Sequence, residues 1–282
     1  MAGDNPAGKM RPAQIPQNQP AGSPIVRLCG SRPPFLPFEL RRVNPEPPGM
    51  TSLFIATGND HKVQEIRAAL GRDFTVFSQR DANVKLEPEE TGATFAENAR
   101  IKAVTWAAYF AMDVCSLNLD YVLADDSGLE VDALNGAPGV HSARFAARAD
   151  GRPGNSPDAE NNAKLLRELA GFPTPQWTAR FRCALALVPV RPGQSAGELA
   201  AQTEGFEGLC EGRITAQPSG TAGFGYDPLF VPAGHTASFA ELGAAVKQAL
   251  SHRAHALALL QAHFSRLSAG ARRPLDFRPA GC

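Results

Sequence analysis

The run Tyr121-Val122-Leu123-Ala124 is apolar, and Asp125-Asp126-Ser127-Gly128 follows it at once. A short apolar run bounded by turn residues predicts a buried strand, here one that stops at the two aspartates. Behind it lies a glycine- and proline-bearing segment, LEVDALNGAPGVHSAR, which ends at Arg144. Adjacent carboxylates at the end of a buried strand are costly unless something positive sits against them. A divalent metal, a basic substrate or a pair of arginines would each suffice. A strand that ends before a glycine-rich loop is also where open α/β sheets place their chemistry. A polar turn with two solvated aspartates fits the same residues, so the choice falls to the rest of the chain.

Residues 52–56, SLFIA, read as a second buried strand, which runs into Thr57-Gly58-Asn59-Asp60-His61-Lys62 and then a helix. Val63, Ile66, Ala69 and Leu70 give that helix its apolar side, and Gly71 stops it. A strand, a Gly-Asn turn and a helix N-terminus make an anion-binding geometry, because free backbone N–H groups and the helix dipole point at the turn. Lys62 adds a cation where the dipole disfavours one, which suggests an anion there. An ordinary βα turn with a surface lysine has the same sequence. The Walker A pattern is absent. The 282 residues balance to a formal net charge of zero, which argues against bulk electrostatic grip on nucleic acid and leaves room for a local pocket for a small polyanion.

A strand is expected near 74–77, followed by Glu87, Glu89 and Glu90. Thr94 with Glu97 forms a capping box that opens a long helix, with Phe95, Ala99, Ala103, Trp106 and Phe110 as its buried stripe. Asn98 and Lys102 are assigned to the opposite, solvated face. The glutamates ahead of the cap suit a hard cation such as Mg²⁺, which takes one or two carboxylates plus phosphate oxygens. Residues 144–155 read as a polar loop, 157–169 as a helix with Leu165, Leu166 and Leu169 inward, and 179–190 as a central strand, apolar on both faces. Residues 199–210 are expected to return antiparallel to it.

In 219–232, SGTAGFGYDPLFVP, the glycines do not have dinucleotide-fingerprint spacing. Phe224 and Tyr226 beside Asp227 suggest an aromatic platform with a hydrogen-bonding carboxylate, suited to a purine. A tight turn with a packed aromatic accounts for them equally. Lys247 precedes Ser251, an N-cap for a last helix with Leu257, Leu260, Phe264 and Leu267 inward. His252 and Arg253 again place cationic side chains at a helix start. The five cysteines are odd in number and lack C-x-x-C spacing, so they read as reduced thiols of a cytoplasmic protein. No uninterrupted apolar run is long enough to cross a bilayer, and no secretory signal is visible. Residues 1–49 are rich in Pro, Gly, Gln and Arg and are expected to be a disordered extension, with Met50 as the functional start. Residues 50–270 are expected to form the domain, and 271–282 a frayed tail.

Five segments, TGNDHK with Glu65, EETGATFAENARIKA, ADDSGLEVDALNGAPGVHSARF, GTAGFGYDPLF and KQALSHR, stand in order along the chain. Together, over residues 53–267, they resemble the inosine/xanthosine triphosphate pyrophosphatase family. The resemblance implies an elongated, two-lobed α/β fold with a long twisted mixed sheet flanked by helices. It implies a homodimer that uses Mg²⁺ to convert ITP, dITP or XTP to the monophosphate and pyrophosphate. By the same resemblance, Thr57, Gly58, Asn59, Asp60, His61 and Lys62 cradle the triphosphate, with Asp60 and His61 at positions the family varies. Glu90 and Asp126 hold the metal, Asp126 accepts the proton of the attacking water, and Ser127 touches substrate. Phe224, Gly225, Tyr226 and Asp227 contact base and sugar. Lys247, His252 and Arg253 complete the pocket, with Arg253 a donor to the purine 6-oxygen. Ala222 departs from the glycine frequent in the family. Two other readings are a hydrolase of other modified or canonical nucleotides and a non-catalytic nucleotide-binding module. The intact GFGYDP and SHR segments disfavour the first, and the presence of Glu90, Asp125 and Asp126 disfavours the second.

Overall fold

In the computed structural model, the described residues are 50–271 except 83, 113–116 and 175–176. The expectations for 1–49 and for the tail beyond 271 lie outside them. The elements are β1 (Thr51–Ile55), α1 (Asp60–Leu70), β2 (Phe74–Ser78), α2 (Gln79–Ala82), α3 (Phe95–Ala111) and β3 (Tyr121–Val131). Two 3₁₀ turns, Asp132–Leu134 and Gly139–Arg144, lead into α4 (Phe145–Ala149) and α5 (Asp158–Leu169). Then come β4 (Thr178–Pro189), α6 (Ala196–Ala201), β5 (Glu204–Ile214), β6 (Phe230–Pro232), α7 (Phe239–Leu250) and α8 (His252–Ala271).

The strands form one mixed six-stranded sheet in the order β2-β1-β3-β4-β5-β6. β1 is parallel to β2 and β3, and the β3–β4, β4–β5 and β5–β6 pairs are antiparallel. Side chains alternate across a strand, so the sheet has two covered faces. On one face α3 packs Phe95, Ala99, Ala103, Trp106 and Phe110 against Phe54, Val122, Ala124, Ala184 and Ala186. On the other, α1 and α8 pack Val63, Ile66, Leu257, Leu260 and Phe264 against Leu53, Ile55, Leu123, Leu185 and Leu187. Beyond these, Leu129, Val131, Phe181 and Phe230 meet α5 and Phe239.

The capping box of α3 forms as expected, with Thr94 Oγ1 accepting from the Glu97 N–H and Glu97 accepting from the Thr94 N–H. β4 is central, as its two apolar faces require.

Several expectations are corrected. β3 does not stop at Asp125; it runs to Val131 and pairs with β4 along its whole length. Residues 144–155 contain α4, whose Phe145, Ala146 and Ala147 are buried. The return strand begins at Glu204, because Ser195 and Glu198 form a capping box that starts α6 first. A further capping box, Ser238 with Glu241, opens α7 ahead of Lys247, and Gly243 breaks its helical geometry at φ 79°. Leu267 is 48% exposed and does not join the α8 stripe.

Candidate active site

β1 pairs with β3 only as far as Ile55 against Leu123. Asp125 and Asp126 therefore stand just past the end of β1, beside the turn that opens α1. Strand alternation sends them to opposite faces of the sheet. Asp125 joins Leu123 and Cys183 on the α1/α8 side, and Asp126 joins Ala124 on the α3 side.

Asp125 is fully buried. Arg253 Nε donates to its Oδ2 at 2.8 Å, and Lys62 Nζ donates to its Oδ1 at 2.5 Å. Ser127 Oγ donates to Oδ1 at 3.0 Å and the Cys183 thiol to Oδ2 at 3.2 Å. Burial opposes the charge, but the guanidinium of Arg253 and the ammonium of Lys62 outweigh it and hold the carboxyl well below the usual carboxylate range. The chain of ion pairs continues. Arg253 Nη1 meets Glu65 Oε2, and its Nη2 donates to Ser127 Oγ at 2.9 Å. Lys247 Nζ bridges Glu65 at 3.0 Å and Asp227 at 2.6 Å. Asp125 thus anchors the first turns of α1 and α8 to the middle strand.

Asp126 is held differently. Lys102 Nζ donates to its Oδ1 at 2.8 Å and to Glu90 Oε1 at 3.2 Å. Arg144 Nη1 reaches Glu90 Oε2 at 3.3 Å. The other oxygen of Asp126, Oδ2, is buried with no partner among the described residues. Burial dominates here and raises the proton affinity of Asp126 despite Lys102 and Lys62, with the Glu90 charge acting in the same direction as burial. Glu90 is less deeply placed; burial works against its charge, yet Lys102 and Arg144 pull it below its ordinary value. Adjacent carboxylates whose environments drive their proton affinities apart are the pattern that separates a fixed charge from a proton acceptor.

The turn 57–62 lies as the sequence suggests, with one difference. The Asn59 side chain caps α1 by accepting from His61 N at 2.9 Å and Lys62 N at 3.2 Å, so those two N–H groups are already engaged. Asp60 is exposed and pairs with Arg80 at 2.6 Å.

The 219–227 loop is fixed from several sides. Asp227 Oδ2 accepts from Phe224 N at 2.8 Å, Asp158 accepts from Gly225 N at 2.6 Å, and Asn162 donates to Gly225 O at 3.0 Å. Phe224 is half-buried, with Lys247 Nζ 4.2 Å from its ring centroid. The two-ring platform does not form, because Tyr226 packs into the core and donates its hydroxyl to Ser142 O at 2.9 Å. His252 is also buried, stacked on Phe181 at 4.9 Å. Burial and the neighbouring Arg253 keep it neutral, well below its ordinary proton affinity. A hollow beside the loop is lined by Glu65, Gly223, Lys247, Ser251 and Arg253.

The fold therefore brings Lys62, Ser127, Arg253, Lys247 and Asp227 into one connected network, and Glu90 with Asp126 into another. The sequence reading missed Lys102, which is 8% exposed, and Asn98, which is fully buried and accepts from Gly92 N at 2.8 Å. Helical geometry carries the signal. At about 100° per residue, Lys102 falls about 20° from Phe95, inside the apolar stripe. A lysine there must find buried acid. Arg144 was also missed; it ends the second 3₁₀ turn, whose Ser142 hydroxyl accepts from Leu129 N at 2.9 Å.

Residues 53–263 match the Ham1 family. The chain is 46% identical over 209 residues to the dITP/XTP pyrophosphatase of Halalkalibacterium halodurans, an alignment covering 74% of this chain and 96% of that protein. It is 45% identical over 215 residues to the dITP/XTP pyrophosphatase of Geobacter sulfurreducens, covering 76% and 96%. Among solved structures, a HAM1 protein from Coxiella burnetii superimposes with a TM-score of 0.64 at 35% identity, covering 77% of this chain and all (100%) of that one. The nucleoside-triphosphatase / dITP/XTP pyrophosphatase from Mycobacterium abscessus gives a TM-score of 0.56 at 37% identity, covering 74% and 98%. With its sheet, its helices and three-quarters of its length matched in this way, the chain belongs to the Ham1 family.

Proposed function

We propose that this chain hydrolyses dITP, ITP and XTP to the nucleoside monophosphate and pyrophosphate, with Asp126 as the proton acceptor for the attacking water. The observation that carries the reading is the unequal aspartate pair. One carboxylate is locked by cations, and the other is desolvated with a buried, unpartnered oxygen, in a chain so similar to proteins named dITP/XTP pyrophosphatases.

Cleaving the α–β anhydride requires water to attack the α-phosphorus while charge gathers on the departing pyrophosphate. Asp126 stands just past the end of β1, beside the phosphate turn, with Oδ2 buried and unpartnered among the described residues, and the family resemblance assigns it the water's proton. Lys62, held by Asp125, faces the same turn as Thr57, Gly58 and Asn59 and supplies positive charge for the phosphates. Lys102 keeps Asp126 and Glu90 side by side, two like charges that would otherwise repel. These two carboxylates are hard oxygen donors, and the free Oδ2 of Asp126 fits a missing cationic partner. Among the described residues no group of three or more ligating side chains forms. Mg²⁺ binds through one or two carboxylates and completes its shell with phosphate oxygens and water. Glu90 and Asp126 would hold it, and bound there it would neutralise phosphate charge.

The hollow beside Phe224 suits the base. Lys247 and Arg253 line it, their side-chain N–H groups meeting Glu65, Asp227, Asp125 and Ser127. By the family resemblance they turn donors to the 6-oxygen of a keto purine, where adenine would bring another donor. A site of buried donors rejects the wrong group by leaving them unpaired. The family resemblance also supports a homodimer, which a sedimentation mass of two chains would bear out, and the scattered cysteines without C-x-x-C spacing support a cytoplasmic location. The activity is tested by pyrophosphate release over dITP, ITP, XTP, ATP and GTP, with Mg²⁺ and with chelator. Turnover confined to the first three and abolished by chelation is expected. Equal turnover of ATP, or turnover indifferent to chelation, would overturn the reading.

A further inference from the structure

The rings of His61 and Phe224 stack with centroids 5.2 Å apart and planes 13° from parallel. The contact joins two segments with separate tasks, the phosphate turn at the start of α1 and the loop beside the base hollow. We propose that His61 is a shield over Phe224: it covers the aromatic face against which the purine stacks, and substrate binding must displace it. The proposal rests on the functional reading above, in which Phe224 receives the base.

The spacing leaves no room for a base between the two rings, since three stacked rings need roughly twice the centroid spacing of two. Neither backbone can retreat to make that room. On one side, Asn59 caps α1 across His61 and Lys62, and the very next residue, Lys62, is tied to fully buried Asp125 at 2.5 Å. On the other, Asp227 and Asp158 hold the backbone N–H groups of Phe224 and Gly225. The side chain of His61 is what remains free to move. It is exposed on the first helical turn, so rotation about its side-chain bonds carries it off the ring without disturbing either anchor. The base then exchanges one stack for another, and apparent affinity is lowered by whatever the His61–Phe224 contact is worth.

An aromatic stack beyond area burial corresponds to about a two- to tenfold change in an equilibrium constant. The test is steady-state kinetics of His61→Ala on dITP, together with inhibition by pyrophosphate, which carries no base and does not reach Phe224. The KM for dITP is expected to fall about two- to tenfold relative to the Ki of pyrophosphate, which reports whatever His61 lends the phosphates. His61→Phe, which keeps a stacking ring, should retain the parental KM or exceed it. His61→Ser gives the same reading if the alanine variant folds poorly. A ratio of the dITP KM to the pyrophosphate Ki that is unchanged or raised in the non-aromatic variants overturns the shield. Absence of dITP turnover by the unsubstituted chain would instead sink the functional reading itself.

Discussion

Asp125 and Asp126 are neighbours on one strand, and exchanging each for asparagine should have opposite consequences. In Asp125→Asn the side chain keeps its shape and loses its charge. The buried guanidinium of Arg253, only 2% exposed, then keeps Glu65 and loses Asp125, and Lys62 loses the one ion pair it makes among the described residues. Breaking a buried ion pair from one side costs roughly 3–5 kcal/mol. For a domain of this size that lowers Tm by roughly 6–20 °C. In Asp126→Asn the balance differs. Removing the charge relieves a carboxylate whose burial already disfavours ionisation, and Lys102 keeps Glu90 as its partner. The lost charge-assisted hydrogen bond and the relieved desolvation offset to within about 1 kcal/mol, so Tm moves by a few degrees at most. Differential scanning calorimetry of the two variants beside the parent reads both values. Should Asp125→Asn melt with the parent while Asp126→Asn melts far below it, the division into brace and proton acceptor is wrong.

Lys102→Met removes the cation between Glu90 and Asp126, which lowers the proton affinity of both. The acidic limb of the pH–kcat profile should move to higher pH, and an unmoved limb would remove Lys102 from the site. Gly208→Ala tests how β5 positions the start of α8. Its Cβ would lie 2.0 Å from the His252 carbonyl oxygen and 2.5 Å from Ala256 N, so α8 must shift. Overpacking of this kind costs roughly 1–3 kcal/mol, a Tm loss of roughly 2–12 °C, and turnover should fall with it because Arg253 rides on that helix. Stability should also respond to acid with two signs. The Asp125 carboxyl, depressed in the fold, gives stability that is full above the unfolded carboxylate value and lost as pH falls through its lower folded one. Asp126 and Asp227 are raised in the fold, mainly by burial, so the instability they bring at neutral pH is relieved as pH falls through their folded values. In Asp125→Asn the acid-induced loss of Tm should shrink, as melting curves from pH 7 downward will show.

Much of this architecture is legible in the chain because local signals and tertiary demand agree. Thr94 with Glu97 opens α3, the Gly-Asn turn leads from β1 into α1, and the doubly apolar β4 takes the centre of the sheet. The errors fall where tertiary pairing overrides local preference. Asp125-Asp126-Ser127-Gly128 has turn chemistry, yet eleven residues of β3 pair with β4 straight through it, because Lys62, Arg253 and Lys102 neutralise the buried acids from both faces. Those cations come from segments far apart in sequence; local pattern marks each as out of place, Lys102 inside an apolar stripe and Lys62 and Arg253 at helix starts, but does not say which acid it meets. Tyr226 illustrates the converse. Its place in a glycine-rich loop suggests a surface role, whereas its hydroxyl locks to Ser142 and so fixes the turn that carries Arg144.

In the proposed mechanism Asp126 performs proton transfer in a pyrophosphate-releasing hydrolysis of dITP and XTP. Its most direct test is the rate of pyrophosphate release from dITP by the parent and by Asp126→Asn, each confirmed as folded by its melting transition. A loss of at least about 100-fold in kcat is expected for the variant at near-parental Tm. Turnover close to that of the parent would contradict it.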